Sequence, residues 1–73
     1  MTKTVMLESG RLVSGGLHAG RMEGILAEDH YRGMKKGRNI ITSFVTSISA
    51  GVDYARVQTL NTCYIIPNNK FEG

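Results

Sequence analysis

The densest run of β-branched and aromatic residues in this chain spans residues 37–66, GRNIITSFVTSISAGVDYARVQTLNTCYII. Val, Ile, Thr, Tyr and Phe suit a pleated, half-buried surface, and their stiff χ1 disfavours a helix. The run predicts one strand over residues 38–48 and one or two more over residues 54–66. Between them, Ser49-Ala50-Gly51-Val52-Asp53 has the length and the glycine of a hairpin loop. In the first arm, alternation puts Ile40, Phe44 and Ile48 on one face with Arg38, Thr42 and Thr46. Ile41 and Val45 fall on the other face with Asn39, Ser43 and Ser47. Both faces are mixed, which suits a small barrel or a sheet that contacts another subunit. In the second arm Ala55 and Val57 alternate with Arg56 and Gln58, but Leu60 is out of phase. A bulge or break around Thr59-Leu60-Asn61 is therefore expected.

The N-terminal half is patterned less strongly. Residues 2–7 predict a short strand, Glu8-Ser9-Gly10 a turn, and Arg11-Leu12-Val13 the partner of that first strand. The glycine-rich residues 14–21 read as a loop. Gly15-x-x-x-x-Gly20 begins like a phosphate-binding loop, but Arg21 and Met22 stand where that motif needs Lys and then Ser or Thr, so it is rejected. Met22, Ile25, Leu26 and Met34 have roughly helical spacing. Glu23 and Glu28 toward the start and Lys35 and Lys36 near the end complement a helix dipole. A helix is expected over residues 22–36, or in a shorter form over 25–31, with Gly37 as its left-handed cap. The expected fold is mostly β (α+β), a small antiparallel sheet or barrel with one short helix, in a single domain over residues 1–73.

Composition narrows the function classes. Seventy-three residues bury only about 60% of the surface the unfolded chain exposes, so the core is small. One cysteine excludes an internal disulfide, and no Cys/His spacing suits zinc, so a homo-oligomer is the expected support. Cys63, inside a strand, reads as a small buried hydrophobe. The net charge of +3 favours phosphate-bearing partners, whether a free nucleotide or a nucleic acid. No apolar run approaches membrane-spanning length, and the expectation is a soluble protein of the cytoplasm with no membrane partner.

Glu28-Asp29-His30 invites a catalytic reading, but neighbouring helical residues point about 100° apart and do not converge. A solvated polar face is the expectation, with no enzyme activity, metal or cofactor. The binding candidates gather at the strand irregularity. Thr59, Asn61 and Thr62 offer hydrogen bonds, Tyr64 a stacking face, and Arg38 and Arg56 positive charge. Asn can read an adenine edge, Arg can clamp a phosphate, and Tyr can stack on a base. The competing reading makes the Thr and Ser residues strand formers and Asn61 a turn residue.

The pattern Gly37-Arg38-x-Ile40-x-Thr42-Ser43, then Thr59-x-Asn61-Thr62-x-Tyr64, resembles a signature of small bacteriophage proteins. It is similar to that of the anti-Thoeris sponge proteins, which sequester cyclic ADP-ribose-type immune signals. The resemblance implicates Arg38, Thr42, Ser43, Thr59, Asn61 and Tyr64, and implies binding without turnover, with the signal buried between subunits. Two other readings stay open: a small basic nucleic-acid-binding regulator, and an inhibitor of a host protein.

Overall fold

Six strands follow one another along the chain: β1 Lys3–Leu12, β2 Arg21–Leu26, β3 Asn39–Ala50, β4 Tyr54–Thr59, β5 Thr62–Pro67 and the short β6 Phe71–Glu72. Two 3-10 turns, Gly16–His18 and Asn68–Lys70, are the only helical pieces among the described residues. The structure is a computed structural model that describes residues 3–73. Thr2, expected to open the first strand, lies outside the described residues. No helix among them is long and apolar enough to cross a membrane.

From β1 to β5 each strand runs antiparallel to the one before. Four reversals leave β5 pointing the same way as β1, so the pair that closes the ring is parallel, residues 3–6 beside 62–65. Closure depends on two long strands that change partner midway. β1 pairs with β5 and then, from Leu7, with β2, whereas β3 pairs with β2 up to Phe44 and with β4 from Val45. An extra residue bulges at each change, Glu8 in β1 and Thr46 in β3, and a third irregularity lies between Ile41 and Phe44. Bulges bend a strand and increase its twist, which lets so few strands close. The interior is filled by Val5, Leu7, Met22, Leu26, Ile40, Val57, Tyr64 and Ile66, with Leu12, Met34, Val45 and Phe71 packed against them.

The mostly β architecture and the hairpin of β3 and β4 follow the sequence pattern, and four expectations are corrected. Residues 22–36 hold no helix. Met22, Gly24 and Leu26 alternate inward while Arg21, Glu23 and Ile25 turn outward, so strand β2 buries Met22 and Leu26 completely. A helix there would carry Gly24 and Gly33, each about 1 kcal/mol worse than Ala, and would leave the second half of β1 without a partner. Glu8-Ser9-Gly10 is likewise not a turn. β1 runs straight through it, with Glu8 as the bulge, and its hairpin partner is β2 and not residues 11–13. In β3 the irregularities break the alternation. Ile40 points into the core, but Phe44 pairs with Arg21 on the outer face and is 48% exposed. Cys63 also faces outward and is only half-buried, because Thr62, Tyr64 and Ile66 take the inward positions of β5. The slip at Leu60 is a break: Leu60 and Asn61 form a two-residue turn between β4 and β5.

Gly37 has φ +88°, the left-handed conformation expected of it, but it closes a loop and caps no helix. Its N–H donates to the Leu26 carbonyl at 2.8 Å, and Leu26 N–H donates to the Arg38 carbonyl at 3.0 Å. Gly24 is required by close approach, because a Cβ there would stand 2.6 Å from the Ser9 carbonyl and 2.8 Å from Leu7 Cδ1. Gly24→Ala must push β1 and β2 apart at their pairing centre. Such overpacking costs about 1–3 kcal/mol, and a domain of this size melts roughly 4–8 °C lower per kcal/mol lost. Thermal unfolding followed by circular dichroism is the check, and an unchanged midpoint would contradict the packing described.

Candidate functional site

Five of the residues singled out above, Ser43, Thr59, Asn61, Thr62 and Tyr64, do come together, at the end of the barrel where β4 turns into β5. Most of their polar groups are already occupied. Thr59 Oγ1 accepts the Thr62 N–H at 3.1 Å and donates to the Thr62 carbonyl at 2.9 Å, closing the turn. Asn61 Nδ2 donates to Ser43 Oγ at 3.2 Å and ties that turn to β3. Thr42 Oγ1 accepts the Met22 N–H at 3.1 Å and donates to the Ser43 carbonyl at 2.8 Å, bridging the irregularity in β3. Thr42, Thr59 and Thr62 are each no more than 3% exposed. Tyr64 was expected to offer a stacking face, but it is one of the core side chains and only 5% exposed. Burial also pushes its phenol pKa up.

The loop 27–38 covers this end of the barrel through two aromatic residues that sequence reasoning passed over as ligands of the fold. His30 is buried, not on the solvated helix face expected of it. Its Nδ1 accepts the Arg32 N–H at 3.1 Å, which leaves the proton on Nε2 to donate to Tyr64 Oη, 3.3 Å away. The ring stacks on Tyr31 with centroids 4.4 Å apart, and Tyr31 Oη lies 2.7 Å from Thr62 Oγ1. Burial, and then the nearby Arg32 guanidinium, hold the His30 pKa below the usual histidine value. The loop's outer turn is held by Asp29, whose carboxylate accepts the Lys36 N–H at 2.9 Å and is kept below the usual range by that bond first. Among the described residues no three His, Cys, Asp or Glu side chains gather as metal ligands.

The two arginines lie elsewhere. Arg38 is exposed at the foot of β3, five residues before Ser43 and so roughly 15 Å along the strand. Arg56 sits on the opposite face of the sheet from Tyr64, because it pairs with Ser49 and Ile65 while Val57 pairs with Tyr64. On that outer face it lines a groove of about 430 Å³ with Thr4, Ser49, Ala50, Gly51, Tyr54 and Ile65. Tyr54 stands two residues before Arg56 on the same face and is 47% exposed. Strand alternation alone puts these two on one face, a signal present in the sequence. Arg56 has no ion-pair partner among the described residues, unlike Arg11, held by Glu23 at 3.2 Å, and Lys35, held by Asp29 at 3.6 Å. Arg21 is also engaged, stacked on Phe44 at 4.4 Å and bonded to the Thr42 carbonyl at 3.3 Å. A second hollow, of about 360 Å³, surrounds Arg11, but Glu23 and Glu72 offset the positive charge of Arg11 and Lys70 there.

No protein-family model matches the chain, and neither does any curated protein or solved structure. The functional reading therefore rests on the chemistry of the groove.

The His30 network sets a pH dependence of stability. Above the ordinary histidine value of about 6.5 the ring is neutral in both states and its contribution is complete. As the pH falls below that value the unfolded chain takes up the proton first, so stability drops until the lowered folded pKa is reached and then levels off. The slope attributable to His30 reaches at most about 1.4 kcal/mol per pH unit. Melting temperatures from pH 7.5 down to 5 should fall more steeply for the wild type than for His30→Gln. Parallel curves would remove His30 from this role.

Proposed function

We propose that the protein is a non-catalytic binding module for a small phosphorylated nucleotide, held in the outer groove over β4. One observation carries this reading: a guanidinium with no ion-pair partner stands beside an exposed aromatic ring in a concave, partly apolar site. The groove's volume falls within the range usual for small-molecule pockets, about 300–1,000 Å³. Arg56 would grip a phosphate through a charge-assisted, bidentate contact. Tyr54 would stack on the base, an interaction worth about 1–3 kcal/mol. Ser49 and Thr4 supply hydroxyls for the sugar, and Ile65 supplies the apolar floor. Thr42, Thr59, Thr62 and Tyr64 serve the fold in this reading, and Arg38, Ser43 and Asn61 are not ligands.

Capture without turnover is what the resemblance to the anti-Thoeris sponges implies, although none of the residues that carry that resemblance lines the groove. A phage protein of this kind would lower the free concentration of a cyclic nucleotide immune signal below what the host effector needs. The ligand class is the one the sequence implies, and the groove lies on the opposite face of the sheet from Tyr64.

Arg56→Ala removes a charged hydrogen-bond donor, and such bonds are worth about 1.5–3 kcal/mol. Binding should weaken roughly ten- to a hundredfold and lose part of its salt dependence. Tyr54→Ala should weaken it comparably without altering the response to salt, and Arg38→Ala should leave it unchanged. Calorimetric titration with cyclic ADP-ribose isomers and cyclic dinucleotides at two salt concentrations measures all three. Binding that survives both groove substitutions would defeat the assignment, and retardation of duplex DNA without nucleotide binding would favour the regulator.

A further inference from the structure

We infer that the outer edge of β3 over residues 46–50 is a docking site for a second copy of this chain, which adds its own β3 in antiparallel pairing. β2 accompanies β3 only as far as Phe44, and beyond Val45 only β4 remains beside it. The last bond on the abandoned edge is Val45 N–H to the Gly20 carbonyl, 2.9 Å. Every residue from Thr46 to Ala50 is exposed. Alternate N–H and C=O groups along this stretch point away from β4, as they do in any antiparallel strand. Such a row is a template for pairing with another strand.

The fold treats its other edges differently. Where β2 leaves β1, the Met6 N–H donates to Glu28 Oε1 at 3.0 Å and the Met6 carbonyl accepts the Ala27 N–H at 3.0 Å. β6, at the far side of β1, has only two residues. Charge, proline and shortness are the usual guards of a strand edge. The open stretch of β3, residues 46–50, contains no proline and no charged side chain, and is as long as a usual strand. The bulge at Thr46 is followed by regular pairing from Ser47 to Ala50.

This chain's own β3 brings no charge to the edge and pairs with itself in a self-complementary register. A two-fold axis through Ile48 sets it against the partner's Ile48, Ser47 against the partner's Ser49, and Thr46 against the partner's Ala50. No like charges meet, and isoleucine covers isoleucine. Ile48 is 45% exposed, so pairing across this axis covers apolar surface as well as backbone.

Sedimentation velocity and concentration-dependent hydrogen exchange, both without nucleotide, test the inference separately from ligand binding. The wild type should reach twice the monomer mass as its concentration rises from low to hundreds of micromolar. Amides between residues 46 and 50 should gain protection over the same range. Ile48→Lys places a charge on an exposed position and sets two like charges across the axis, so self-association should weaken about tenfold or more with an unchanged circular dichroism spectrum. Three outcomes would each overturn the inference: a wild type that stays monomeric, a dimer whose protection gain lies outside residues 46–50, or a folded Ile48→Lys protein that dimerises as well as the wild type. If the variant fails to fold, the wild-type exchange pattern decides.

Discussion

The backbone hydrogen bonds of β1 are divided between two partners, β5 over its first residues and β2 over the rest. This division turns a meander of five strands into a closed ring, and the bulge at Glu8 is the joint that permits it. If β1 stayed with one neighbour, a second row of N–H and C=O groups would be left open, and the inward row of Val5, Leu7, Met22 and Leu26 would lose its enclosure. β3 repeats the device with Thr46, but there the chain supplies no second strand to fill the edge. The same constraint thus produces both the small core and the exposed arm.

Much of this was legible in the sequence. The β-branched run announced β3, β4 and the hairpin between them, and the phase slip at Leu60 announced the turn before β5. The failures came from signals that are local in sequence but settled by distant partners. Met22, Ile25 and Leu26 satisfy a helical spacing and an alternating one at once. β2 wins because β1 needs a hydrogen-bonding neighbour, which no window around residue 25 reveals. The faces of β3 were misread for a related reason: strict alternation cannot see an extra residue that appears only when two strands are laid side by side.

The candidate site shows a similar division. Threonines, an asparagine and a tyrosine near a strand break have the composition of a nucleotide pocket, and they did gather in space. Yet the inward parity of Thr59, Thr62 and Tyr64 puts them where polar groups must be satisfied internally. The Thr59 hydroxyl closes the turn, that of Thr62 is tied to Tyr31, and Tyr64 is a wall of the core. Arg56, of opposite parity, is left to the solvent with Tyr54. One position of offset along a strand separates a group that holds the barrel together from one that is free to meet a ligand.

Closure by a parallel pair also shapes how the barrel is reached from the unfolded chain. The β3–β4 and β4–β5 hairpins join neighbours in sequence and can zip from their turns. The pairing of residues 3–6 with 62–65 instead joins segments almost a whole chain apart. It pays loop-closure entropy before it returns any contact. The bonds of His30 to Tyr64 and of Tyr31 to Thr62 likewise join residues more than thirty positions apart, so the loop over this end of the barrel carries a similar entropic cost.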